Sequence, residues 1–171
     1  MTSLAQAQSG PDSLVSRELH RRLSGQLISE HAGMTGDKAV RIVDATVAFL
    51  KVCADNPDGH FRPSQEVDKG WHQFILNTVD YAEFCERVAG RFLHHVPDEF
   101  TPPRADHADT VAALAPTVAA LEEAGFEVDS ELWATASGRC SQCHSGCTNC
   151  GQGDDGPLAA AVRHLTVAAT G

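Results

Sequence analysis

Four cysteines and a histidine stand together in "GRCSQCHSGCTNCG", residues 138–151, in the order Cys140, Cys143, His144, Cys147 and Cys150. Two CxxC pairs form a ligand pattern for a soft metal, because each pair lets two thiolates converge on one ion at about 2.3 Å. Gly138, Gly146 and Gly151 permit tight turning around them. Only three residues separate the pairs, where zinc ribbons and knuckles usually leave roughly 15 to 20. Those peptide steps could span up to about 14 Å if extended, so one ion takes all four sulfurs only if Ser145 and Gly146 fold back.

Several chemistries stay open for this segment. One zinc could be held by four cysteines, or by three with His144; alternatively, one pair could join ligands from elsewhere in the fold. An iron–sulfur cluster would also accept four close cysteines, although neither ferredoxin spacing is matched. "CSQCH" satisfies the haem-attachment pattern, but that attachment follows export, and no export signal is recognisable at the start of the chain. A redox CxxC would sit at a helix start in a βαβ unit, which the pattern lacks. The bland alternative is an exposed loop with incidental thiols.

A second group lies in "EVDKGWHQFILNTVDYAEFCERVAGRFLHHVP", residues 66–97. Asp68 and His72 are four apart, so on a helix they share a face. Cys85 follows on the next helical stretch, and His94 and His95 come at its extended exit. An antiparallel hairpin of the two helices would let His72, Cys85 and one of the histidine pair meet. Neighbouring residues in an extended segment point to opposite sides, and His95, ahead of "VP", is the better candidate to face the helices. Such a set could hold an ion with an open position, able to acidify a bound water or polarise a substrate oxygen, with Tyr81 or Glu83 assisting. The competing interpretation is a surface helix pair, a core cysteine and two polar loop histidines.

The same passage, through Val67, Asp68, Trp71, His72, Phe74, Ile75, Leu76, Thr78, Tyr81, Phe84, Cys85, Gly90, Phe92, His94, His95 and Pro97, follows the pattern VDxxWHxFILxTxxYxxFC…GxFxHHxP. In this it resembles an uncharacterised bacterial family similar to glycine-rich domain-containing proteins. The resemblance implies a helical, soluble protein with a His/Cys motif of the metal-binding kind. It implies no particular reaction, and it does not extend to the cysteine segment.

These groups must be positioned by helices. Val15, Leu19, Leu23 and Leu27 recur every four residues from an acidic cap at Asp12 to a stop at Gly33, predicting a first helix. A second is predicted over Asp37 to Ala54, with Val40, Val43, Val47 and Leu50 inward and Ile42, Phe49 and Cys53 widening the stripe. That width marks a central helix, with Cys53 as a core thiol. Ser64 caps a third carrying Val67, Trp71, Phe74 and Ile75; Thr78 caps a fourth that buries Tyr81, Phe84, Cys85 and Val88 and stops at Gly90. Residues 91–104 read as an extended connection. A fifth helix over Asp109 to Ala124 contains Pro116, which should kink or split it. A short helix is expected over Ser130 to Ala136, and a last one after Asp155 and Pro157.

The expected fold is therefore all-α: a compact single-domain bundle of five to six helices without a convincing strand, spanning residues 12–171 after a flexible 1–11. The cysteine-rich loop, residues 138–153, precedes the last helix. With 171 residues the chain can bury a core without disulfides, so its six cysteines need another reason. A formal charge of −10 and no strong basic cluster argue against nucleic acid, and no apolar run approaches the roughly 18 residues of a membrane span. A cytoplasmic, reducing setting favours metal binding over structural disulfides. The function expected is a small metal-binding protein, with zinc as the ion and copper, iron or an iron–sulfur cluster as alternatives. A metalloenzyme centred on Asp68, His72, Cys85 and His95, or a copper- or zinc-handling protein, are the other readings.

Overall fold

Helix α1, Arg17–Glu30, starts where Ser16 Oγ accepts the Leu19 N–H at 3.1 Å, and it buries Leu19, Leu23 and Leu27. The computed structural model describes residues 14–97, 107–134 and 140–142, with side chains for 14–96 and 112–134. The cap is thus Ser16; Asp12, the expected one, lies outside the described residues. Gly33, at φ 81°, follows the helix end in the left-handed region that glycine tolerates best.

Helix α2, Gly36–Asp55, is capped by Thr35, whose Oγ1 accepts the Lys38 N–H. It packs against α1 and against three later helices: α3, Gln65–Leu76; α4, Thr78–Ala89; and α5, His107–Glu123. Its buried stripe includes Ile42, Val43, Val47, Phe49, Leu50 and Cys53, so the central-helix expectation holds and Cys53 is a core thiol. Val40 departs from expectation: it is exposed, because Ala39 and Val43 define the edge of the inward stripe one step away.

The α2–α3 contact is close enough to require glycine at position 70. A Cβ added there would stand 2.1 Å from Thr46 Oγ1 and 2.9 Å from Ile42 Cγ2. Thr46 cannot easily retreat, since its buried hydroxyl lies 2.8 Å from the Ile42 carbonyl and 3.2 Å from the Val67 carbonyl. Gly70→Ala gains helix propensity of up to about 1 kcal/mol. Overpacking costs about 1–3 kcal/mol and wins. Urea denaturation should show a lowered midpoint; an unchanged or raised one would mean that the helices do not approach this closely.

Ser64 caps α3 as expected, its Oγ accepting the Val67 N–H at 3.2 Å. Val67, Trp71 and Phe74 are buried on this helix. In α4, Thr78 is the first helical residue rather than the cap; Asn77 occupies the junction, and its N–H bonds back to the Phe74 carbonyl. Tyr81, Phe84 and Cys85 face the core, and Gly90 ends the helix at φ 63°.

α5 is one continuous helix through Pro116, where a kink or a split was expected; it is not split. Its inner side is pinned on both sides of the proline by buried Leu114 and Leu121, while Thr117 Oγ1 accepts the Arg62 N–H and donates to the Arg62 carbonyl. Those contacts outweigh one lost backbone donor on the exposed face. Its end is sealed by Phe126 N–H on the Leu121 carbonyl and Gly125 N–H on the Glu122 carbonyl, with Gly125 at φ 79°. The short helix expected next is a single turn that buries Leu132 and Trp133. Arg41 ties this turn to α2 by pairing with Asp129 and Glu131. Burial alone would push the Asp129 carboxyl up, but the Arg41 guanidinium and the Glu131 amide hold it below its ordinary range.

Two short strands were not foreseen. β1, His95–Pro97, pairs antiparallel with β2, Cys140–Gln142, in the register His95 with Gln142, Val96 with Ser141 and Pro97 with Cys140. The ribbon adds no layer, and the fold is all-α. Residues 143–171, which carry the rest of the cysteine segment and the expected last helix, lie outside the described residues. Among the described residues, no helix is long and apolar enough to cross a membrane.

Candidate metal centre

Asp68 and His72 project from successive turns of α3, and β1 brings His95 against them. His95 Nε2 lies 2.8 Å from Asp68 Oδ1, and His72 Nε2 lies 3.6 Å from Asp68 Oδ2. The three side chains can each offer a ligand atom within 4.8 Å of the others. The rings of His72 and His95 meet edge to face at 4.5 Å.

The centre is graded from inside to outside. The His95 side chain is 6% exposed, that of Asp68 16% and that of His72 59%. His95 is held on its inner side by the Trp71 ring, 4.2 Å away between centroids. His72, the outermost of the three, is the exposed one.

The donor set suits a d-block cation. In a tetrahedral zinc site with bonds near 2.05 Å, ligand atoms stand about 3.3 Å apart. Here His95 Nε2 is 2.8 Å from one Asp68 oxygen and His72 Nε2 is 3.6 Å from the other, so each imidazole addresses a different carboxylate oxygen. Two imidazoles and one carboxylate with room beside them are the ligands of open zinc centres and of ferrous facial triads. Lys38 and Lys69 are drawn to another carboxylate, Glu66, two residues from Asp68 on the helix. Burial would raise the Glu66 carboxyl, yet the hydrogen bond and charge of Lys69, with the charge of Lys38, hold it below its usual range.

Two residues of the expected hairpin site are elsewhere. Cys85 is buried in the core, four residues after Tyr81 on the inward stripe of α4, and does not join the three ligands. His94 is exposed beside Phe92, on the opposite side of the chain from His95, as alternation in an extended segment requires. Glu83 is exposed on α4 and is not grouped with the three ligands, and Tyr81 is wholly buried. Cys140 is described only as backbone in β2, and Cys143, His144, Cys147 and Cys150 lie outside the described residues.

Trp71 and Tyr81 read in the sequence as core aromatics, and the core contains them. Their polar atoms add something that periodicity does not reveal. Trp71 Nε1 donates to the Tyr81 hydroxyl at 2.9 Å, and that hydroxyl donates to the Leu93 carbonyl at 2.5 Å. The only advance signal is that buried Trp and Tyr usually find hydrogen-bond partners.

No curated protein and no solved structure matches the chain. Residues 12–123, well over half of the chain, match the model of the UCP032817-like family; the matched span contains Asp68, His72 and His95 and ends before the cysteine segment. By this match, the chain belongs to the UCP032817-like family.

Proposed function

We propose that the protein binds a divalent transition metal, zinc foremost, through Asp68, His72 and His95. The observation carrying this reading is the convergence of two imidazole nitrogens and a carboxylate from α3 and β1 within 4.8 Å. Three protein ligands leave a coordination position on the solvent side, where an ion could lower the pKa of a water towards about 7 or polarise a substrate oxygen. Metal-assisted hydrolysis is the reaction class that such a position serves. Ferrous iron and copper are the competing ions, since the same donors accept both.

The cysteine segment belongs to the same reading. Cys140, Cys143, Cys147 and Cys150, with His144, have the composition of a thiolate site, and a reducing cytoplasm would keep them available as ligands. The pairing of β2 with the strand that carries His95 supports treating the segment as a neighbour of the histidine centre. It holds either a second ion or the remaining ligands of the first; transfer of zinc or copper between the two would make this a metal-handling protein. The motif in residues 66–97 also carries our reading of a likeness to glycine-rich domain-containing proteins.

Elemental analysis of protein purified without chelator, under reducing conditions, tests the proposal. One equivalent of zinc per chain is expected for a shared centre and two for separate ones, with no visible absorption. Less than about a tenth of an equivalent of any metal, with none taken up on addition of Zn²⁺, would sink it.

A further inference from the structure

Tyr81 is fully buried, yet its hydroxyl is tied to both supports of His95. It donates to the carbonyl of Leu93, two residues before His95 on the segment leading into β1, at 2.5 Å. It accepts the indole N–H of Trp71 at 2.9 Å, and the Trp71 ring packs on the His95 imidazole at 4.2 Å. Phe74 and Phe92 hold the phenol ring edge to face at 5.1 and 5.2 Å, fixing where the oxygen sits. One buried oxygen therefore joins α3, α4 and the approach to β1.

Resting on the metal-binding reading above, we infer that Tyr81 is a positioning residue of the centre: its hydroxyl fixes His95 so that Nε2 meets the ligands of α3. The two ligands on α3 are set by helix geometry, since residues four apart share a face without help. His95 is different, because it follows an extended stretch with no helix to orient it. The Leu93 carbonyl sets the path of that stretch and the Trp71 ring sets the plane against which the imidazole rests. Both converge on the Tyr81 oxygen, whose hydrogen bonds go to Trp71 and Leu93. Outer-shell groups that orient a ligand commonly change metal affinity about 10–100-fold when removed.

Tyr81→Phe removes the oxygen and keeps the ring. The full chain is titrated with Zn²⁺ against a colorimetric chelator, and with Co²⁺ for its visible absorption, whose bands report coordination geometry. Leu121→Val, a core change on α5, serves as a comparison for a general loss of stability. The expected result is zinc affinity weakened about 10–100-fold in Tyr81→Phe with altered cobalt bands, while Leu121→Val leaves both as in the natural protein. Unchanged affinity and bands in Tyr81→Phe overturn the inference, and so does an equal weakening in both variants with unaltered bands. If Tyr81→Phe does not fold, Trp71→Phe, which removes the donor to the same oxygen and also trims the ring behind His95, should weaken zinc in the same direction, and no change there overturns the inference. Natural protein that binds neither ion overturns the metal reading as well; the other failures leave that reading standing.

Discussion

His72→Ala should empty the histidine centre without unfolding the protein. The side chain is 59% exposed, its contact with Asp68 Oδ2 is 3.6 Å, and its ring meets that of His95 edge to face. With His72 largely in solvent and its contact with Asp68 long, the pair contributes about 0–1 kcal/mol, so urea denaturation of the metal-free variant should lie within that range of the natural protein. Loss of a direct ligand exceeds loss of an outer-shell partner, so affinity for Zn²⁺ at this centre should fall by more than about 100-fold. A ligand that binds only the folded state stabilises it by about 2.7 kcal/mol at a hundredfold excess over Kd. That metal-dependent gain should shrink or vanish in the variant while its metal-free stability stays.

The metal left in His72→Ala also separates the two arrangements of the cysteine segment. One equivalent retained out of two means that the thiolates hold their own ion. An empty protein means that one ion was shared. Metal content and metal-dependent stability both unchanged would show that the Asp68–His95 contact is only a pin holding β1 on α3.

Much of this arrangement was legible because helices repeat locally. Ser64 capping α3, the stop at Gly90, the burial of Cys53 and the shared face of Asp68 and His72 all follow from spacings of a few residues. The choice of His95 over His94 follows from alternation in an extended segment, a rule of the same short range. Of the two readings of Cys85, ligand or core residue, the local pattern favours the core, where it lies. It lies four residues after Tyr81, so the inward stripe of α4 that predicts a buried tyrosine also turns the thiol into the core and away from His72.

What spacing could not supply is long-range. β1 and β2 are joined across more than forty residues, and neither has a period of its own at three residues in length. Pro116 read as a breaker because propensity is local, whereas the bonds that hold α5 together reach Arg62. The close approach at Gly70 is likewise a property of two helices: glycine inside α3 reads as a weakness until Thr46 is brought against it. In each case a partner distant in the chain reverses what the residue alone suggests.

Phe49→Ala should cause the largest loss of stability of the changes considered, because Phe49 is the ring through which α2 supports the centre. It is fully buried, meets Trp71 edge to face at 5.5 Å and lies 6.3 Å from Trp133 in the turn after α5. Truncating a buried phenylalanine costs about 3–5 kcal/mol, the transfer of its ring plus the cavity left behind. Against a total of about 5–15 kcal/mol for an ordinary domain, this brings the protein near its unfolding threshold. Both tryptophans of the chain border the void, so intrinsic fluorescence should report a lower urea midpoint and a changed native emission. Phe49→Leu, which refills most of the space, should lose clearly less. Saturating Zn²⁺ should raise the midpoint of Phe49→Ala if the three ligands still converge, because none of them is changed and binding adds to folding. A loss below about 1 kcal/mol would mean that α2 does not carry the Trp71 ring, and that the inner wall behind His95 is held from another side.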